Sequence, residues 1–164
     1  MEEINQKIGS SEDNTLNQIE RILQSQANFQ KEILKLKTQL LNSKIGDIIT
    51  AAKQVEKFKI ISEYLEEMDI KNLGDFADTL KKKLNSGVVV LASTKEGKPL
   101  FVVSLTQEAV DNGLNAGLIA KEIGVLINGT GGGRKDFAQG GGKDSAKLKT
   151  ALEKIPEIIS KLIR

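Results

Sequence analysis

Two apolar runs, Val88-Val89-Val90-Leu91-Ala92-Ser93 and Leu100-Phe101-Val102-Val103-Ser104-Leu105, stand either side of Lys95-Glu96-Gly97-Lys98-Pro99. Each run is too short for a typical helix and rich in β-branched and aromatic residues, so each reads as a strand. The polar segment between them carries Gly and Pro, the strongest local turn markers. The pair therefore predicts an antiparallel hairpin. Continuous apolar character marks strands covered on both faces, in the centre of a sheet.

Working outward, Phe58, Ile60, Ser62 and Tyr64 alternate with Lys59, Ile61, Glu63 and Leu65, a strand-like pattern. Leu73, Phe76, Ala77, Leu80 and Leu84 fall on one helix face, with Lys81-Lys82-Lys83 in its last turn, where cations suit the helix dipole. Ala116, Ile119, Ala120, Ile123, Leu126 and Ile127 line another helix. Asp144 is placed as the N-cap of a last helix bearing Leu148, Leu152, Ile155, Ile159 and Leu162. Pro156 predicts a kink or break in it.

Upstream, Leu16, Ile19, Leu23, Ala27, Ile33, Leu36, Leu40 and Ile45 recur near helical period, and Ile48, Ile49 and Ala52 continue them. Ser10 and Asp13 fit a capping-box spacing. The reading is one long helix from Ser11 to Lys53, bent at Gly46. Its apolar stripe fits either a dimerising arm or a connector packed on a globular domain. Gln26 and Gln30 interrupt the seam, against a strict heptad zipper. The fold class predicted is α/β: a long N-terminal helical arm over residues 1–54, then a small α/β sandwich with a mixed sheet over 55–164.

The chain's most unusual segment is Thr130-Gly131-Gly132-Gly133-Arg134-Lys135-Asp136-Phe137-Ala138-Gln139-Gly140-Gly141-Gly142-Lys143-Asp144. It reads as a glycine loop. Glycine permits positive φ and close backbone approach to a ligand. Exposed N–H groups beside cations suit an anionic partner. Phe137 and Ala138 are anchors that a flexible linker would lack. The candidate contacts are Gly131, Gly132, Gly133, Arg134, Lys135, Gln139, Gly141, Gly142 and Lys143. Arg134 has a guanidinium fork for phosphate, with an ion pair to Asp136 as its structural alternative. Asp136 is expected to brace the turn by accepting loop N–H bonds. Gln139 can donate and accept at once, suiting a sugar or base edge, or it can brace the loop. Lys143 is expected to join an anion site with the free N–H groups of the following helix.

Composition narrows the chemistry. The 164 residues contain no His and no Cys. Cys/His zinc sites, Cys nucleophiles and Ser-His-Asp triads are excluded. No disulfide can form, which fits a reducing, cytoplasmic compartment. No apolar run approaches a membrane span. The polar start Met1-Glu2-Glu3-Ile4-Asn5-Gln6-Lys7 is unlike a secretory signal and reads as the start of a piece of a longer protein. Net charge is only +2, but the charge lies in blocks: Lys-rich from Lys31 to Lys59, acidic from Glu63 to Asp78, basic again from Arg134 onward. Such blocks give one face a positive field while the total stays small. Aromatics at 4% are sparse for a sheet that reads RNA bases by stacking. Gly140-Gly141-Gly142-Lys143-Asp144 lacks the spacing and hydroxyl of a nucleotide-binding P-loop. No carboxylate cluster has metal-ligand spacing, and no nucleophile has a base beside it.

The pattern Gly132-Gly133-Arg134-x-Asp136-x-Ala138-Gln139-x-Gly141-Gly142 resembles the signature of the C-terminal domain of alanyl-tRNA synthetases, a domain related to that appended to DHH-type phosphoesterases. The phosphoesterases usually place His where this chain has Arg134 and lack Ala138-Gln139, so the synthetase branch is favoured. Lys135 stands where the family often has Pro. The likeness spans Phe58 to Ile155. It implies a module that binds the elbow of tRNA(Ala), couples the aminoacylation and editing domains of the same chain, and in some members forms a homodimer. It also implies a parent alanine–tRNA ligase using ATP and Mg²⁺, with zinc in its editing domain. This chain is expected to hold no cofactor, metal or catalytic residue itself. The alternatives are a phosphoesterase appendage, or a helix-mediated oligomerisation module whose glycines are only structural.

Overall fold

The computed structural model describes residues 15–163; the Ser10–Asp13 capping box and the expected helix start at Ser11 lie outside them. The chain divides into two compact units between Ile45 and Gly46. The first is dominated by α1 (Thr15–Ser43). At 1.5 Å per residue it is about 44 Å long. Its apolar stripe includes Ile22, Phe29, Ile33, Leu36 and Leu40, all exposed.

The single helix expected to Lys53 is interrupted. α1 ends at Ser43, a short α2 runs Ile45–Thr50, and Lys53 opens strand β1 (Lys53–Val55). The break falls at Lys44, before Gly46 and not at it.

The second unit is built on a six-stranded mixed sheet in the order β1-β2-β3-β4-β6-β5. After β1 come β2 (Phe58–Tyr64), α3 (Ile70–Lys81), β3 (Gly87–Lys95), β4 (Lys98–Leu105), α4 (Gln107–Asp111) and α5 (Ala116–Leu126). Then follow β5 (Thr130–Gly133), β6 (Phe137–Gly141), α6 (Leu148–Glu153) and α7 (Ile155–Ile163). The predicted hairpin is β3–β4, with Val90 opposite Val103. Its two-residue turn sets Glu96 at φ 51° and Gly97 at φ 77°. Positive φ at both central residues matches the twist of the strands, and Gly reaches it without penalty. β2 and β3 are parallel, joined over α3; every other pairing is antiparallel.

The two sheet faces follow from strand alternation. Phe58, Ile60, Val88, Val90, Phe101, Val103 and Ala138 point to one face, where Ile119, Ile123, Leu148, Leu152, Ile155 and Ile159 of α5, α6 and α7 complete the main core. Each Val, Leu, Ile or Phe among them, fully buried, contributes roughly 1.5–3 kcal/mol. The opposite face carries α3, whose buried Leu73, Phe76, Ala77 and Leu80 lie against β3 and β4. Asp69 caps α3 by accepting from Asn72 N at 2.9 Å. As expected, Pro156 marks a break, between α6 and α7. Asp144 is not the N-cap expected for the last helix: Lys147 holds that position without a side-chain cap bond, and Asp144 accepts from Lys147 N at 3.3 Å in the turn ahead of it. No helix among the described residues is long and apolar enough to cross a membrane.

Candidate nucleic-acid interface

The glycine segment is not a loop. It is the β5–β6 hairpin, paired Thr130–Gly141, Gly131–Gly140, Gly132–Gln139 and Gly133–Ala138, at the end of the sheet with β5 as the edge strand. β6 is zipped onto β4, Gln139 opposite Val102 and Phe137 opposite Ser104.

Its glycines answer mainly to the protein itself. Helix α5 lies on the hairpin backbone to backbone. A Cβ on Gly131 would stand 2.2 Å from Ala120 O, and one on Gly124 would stand 2.7 Å from Thr130 C. A Cβ on Gly140 would stand 2.4 Å from Phe101 Cζ, and one on Gly142 would stand 2.3 Å from Ile127 O. Real Cβ contacts of this kind do not exist, so side chains are excluded by packing. Positive φ, the other expected reason, occurs within the segment only at Gly133. Gly132 differs from the rest: nothing lies within 4 Å of a Cβ placed there.

Alternation puts Thr130, Gly132, Gln139, Gly141 and Leu100 on the α3 side of the sheet. α3 spans β3 and β4 there and meets β6 at Phe137, whose Cζ would lie 3.6 Å from a Cβ on Gly74. Beyond Phe137 the sheet face opens. Thr130 and Gln139 are exposed, and Gly132 and Gly141 are half-buried. This open face is flat because two of its side chains are hydrogen atoms. It can accept a planar or sugar group against peptide planes, with the Gln139 amide as donor and acceptor. It contains no titratable group and no acid–base pair. Thr130 is a member of this face that no sequence signal singles out; only the strand register reveals its place.

The turn Arg134-Lys135-Asp136 is rigidly held. Leu105 N donates to Asp136 O at 2.9 Å, Ala116 N to Lys135 O at 2.8 Å, and Arg134 N to Phe137 O at 2.8 Å. The Asp136 carboxylate does not take loop N–H bonds as expected. It accepts the Arg134 fork instead, Nε to Oδ1 at 3.1 Å and Nη2 to Oδ2 at 3.3 Å. The Arg134 side chain remains 78% exposed. The exposed pair is worth about 0–1 kcal/mol in stability. What it does is hold the guanidinium with its remaining N–H groups toward solvent. Lys135 is exposed beside it.

Lys143 lies at the other end of the hairpin from Arg134. Lys143 N and Asp144 N both donate to Ile127 O, at 3.1 and 3.2 Å, so these two N–H groups are committed within the protein. The candidate residues thus split into an exposed turn (Arg134, Lys135), an open face (Gly132, Gln139), and glycines held close to neighbouring backbone (Gly131, Gly133, Gly142, and Gly141 on the same face as Gly132, where a Cβ would stand 2.9 Å from Pro99 O). No group of three or more potential metal ligands occurs among the described residues.

Family comparison defines the class of this six-stranded mixed sheet with its glycine hairpin. Residues 57–161 match the DHHA1 domain, and the chain belongs to that family. It is 35% identical over 159 residues to an alanine–tRNA ligase of Natranaerobius thermophilus, covering 97% of this chain and 18% of that protein. It is 34% identical over 155 residues to an alanine–tRNA ligase of Clostridioides difficile, covering 94% and 18%. The crystal structure of the C-Ala domain from Aquifex aeolicus alanyl-tRNA synthetase superposes with a TM-score of 0.62 at 36% identity, covering 66% of this chain and 97% of that one. The chain spans less than a fifth of the length of these ligases. The resemblance read from the glycine signature is therefore matched in both sequence and fold.

Proposed function

We propose that this chain is the non-catalytic, nucleic-acid-binding C-terminal domain of an alanine–tRNA ligase, and that it holds tRNA(Ala) on the β5–β6 hairpin. The observation that carries this is the juxtaposition of a rigid cationic turn, Arg134-Lys135, with an open glycine face bearing Gln139, in a domain similar to C-Ala. Arg134 supplies a phosphate contact, with its guanidinium held in place by Asp136. Gln139 and the Gly132 peptide meet a sugar or base edge. RNA recognition of this kind favours unstacked or outward-facing nucleotides, such as those of the tRNA elbow. Binding there lets the aminoacylation and editing domains of the parent chain share one tRNA. ATP, Mg²⁺ and zinc belong to those other domains, and the setting is the cytoplasm. The phosphoesterase appendage is set aside because the two ligases match nearly the whole chain.

The test is a filter-binding titration of the chain with a tRNA(Ala) transcript. Saturable binding that weakens in Arg134→Ala supports the reading. Absence of binding at low salt, or wild-type binding by folded Arg134→Ala and Gln139→Ala variants alike, overturns it. Alanylation and deacylation assays on the same sample are expected to read zero.

A second reading is favoured by a separate observation. The exposed stripe Ile22, Phe29, Ile33, Leu36 and Leu40 on α1 suits pairing with another copy of the helix.

A further inference from the structure

Beyond the hairpin, a cleft of about 400 Å³ lies between the end of α5 and α6. Lys147, Thr150 and Lys154 form one wall, Asn128 and Val125 the other, and Leu126 is among its apolar lining. Lys147, Thr150 and Lys154 are spaced i, i+3 and i+7, so they share one side of α6 and its caps. No carboxylate lines the cleft. Lys147 pairs with Asp144 at 3.2 Å, so its charge is partly answered. The side chains of Asn128, Thr150 and Lys154 have no hydrogen-bond or ion-pair partner among the described residues. Val125 is 73% exposed, a large apolar surface next to cations.

We infer that this cleft is a second RNA-backbone contact, taking a phosphate on Lys154 and Lys147 and the adjoining ribose against Val125, with Asn128 and Thr150 on its hydroxyl. The inference rests on the hairpin's being an RNA surface and extends it. Two observations favour RNA over an acidic protein segment. The cations alternate with neutral amide and hydroxyl groups, the combination that a phosphate–ribose repeat requires. The cleft is also tied to the hairpin through the backbone. Asn128 leads through Gly129 into β5, and Lys143 N and Asp144 N lock the approach to α6 onto Ile127 O. The cleft lies in the α5–α6 layer and the open glycine face on the α3 side, so the two are separate contacts joined by a short, fixed stretch of backbone.

Lys154 is the cleanest probe because it is exposed and outside the hairpin. The full 164-residue chain, as Lys154→Gln, Lys147→Gln/Lys154→Gln and Arg134→Ala, is titrated with a tRNA(Ala) transcript across a KCl series. Circular dichroism melts confirm that each variant is folded. The expected result is roughly threefold or more weaker binding by Lys154→Gln. The slope of log K against log salt should become shallower by about 0.7–0.9 for each phosphate that is no longer neutralised. The double variant should bind more weakly still. If Arg134→Ala weakens binding while both lysine variants keep wild-type affinity and slope, the hairpin reading stands and the cleft does not touch RNA. That result would leave an acidic protein surface as its partner and overturn the inference. If the lysine variants lose slope while Arg134→Ala binds like wild type, the cleft contact stands and Arg134 is not the hairpin's phosphate contact. If all three match wild type, the cleft inference fails.

Discussion

The backbone of Gly131 rests on the carbonyl of Ala120, so closely that a Cβ at residue 131 would come within 2.2 Å of that oxygen. Gly124 makes the reciprocal approach to Thr130. Helix α5 and strand β5 thus meet without intervening side chains. The first prediction follows from the contrast with Gly132, whose Cβ direction is open. Gly131→Ala should destabilise the domain by about 1–3 kcal/mol through overpacking. Gly132→Ala should stay within about 0.5 kcal/mol of wild type. Urea unfolding midpoints compare the two directly. Equal midpoints would show that the helix–hairpin contact yields easily. For RNA binding, Gly132 is consequently the informative glycine, whereas Gly131 substitutions report the fold first.

The sequence makes the apolar elements legible and the glycine hairpin illegible, for one physical reason. Strands β3 and β4 and the faces of α3 and α5 carry side chains whose spacing exposes the backbone period. Gly131, Gly132, Gly133, Gly140, Gly141 and Gly142 carry none, so β5 and most of β6 have no alternation to read. Phe137 and Ala138 are the only clue: they point to opposite faces, toward Gly74 and into the main core. β1 leaves no signal because it is a three-residue, mainly polar edge, and α4 leaves none because it is one turn capped by Thr106. In the site, the exposed cations are readable. The reason for the glycines is not, since it depends on where α5 lands.

Glu63 gives a pH prediction. It lines a small cavity of about 170 Å³ with Ile48, Ala51, Ile61 and Leu152, and burial raises its pKa above the ordinary 4.5. The folded state therefore holds this proton at pH values where the unfolded chain has released it. Stability from this group is fully present below about pH 4.5 and is lost as pH rises through the raised folded value. Glu63→Gln removes that dependence. The variant should gain stability over wild type at pH 7, and the gain should shrink toward pH 4. Denaturation midpoints at the two pH values measure it, and a gain that is the same at both would contradict the assignment.

The α1 stripe carries a prediction about assembly. Phe29 is 64% exposed and Ile33 54% exposed. Apolar faces of this length drive helix pairing because water is excluded from both partners at once. The chain is expected to self-associate in light scattering, and Phe29→Glu/Ile33→Glu should reduce the mass to that of one chain. A single-chain mass for wild type at tens of micromolar would remove the arm as a dimerising element. Far-UV circular dichroism should report lost helix in the variant if α1 depends on its partner.

The hairpin's two kinds of contact separate by salt. Arg134 presents a full charge; Gln139 presents a neutral amide on the open face beside Gly132. Phosphate neutralisation releases counterions, whereas a neutral hydrogen bond does not. Arg134→Ala should weaken tRNA(Ala) binding by about 1–3 kcal/mol and flatten the salt dependence by roughly one phosphate's worth. Gln139→Ala should weaken it by about 0.5–1.5 kcal/mol with the slope unchanged. Asp136→Asn keeps the side chain's size but releases the guanidinium from its ion pair, so it tests whether a fixed Arg134 matters. Weaker binding with the same slope is expected, because the charge survives and only its placement is lost. Lys35→Ala on α1, a solvated lysine far along the sequence from the hairpin, should leave both affinity and slope near wild type. A salt slope that falls for Lys35→Ala and not for Arg134→Ala would move the RNA contact from the hairpin to the helical arm.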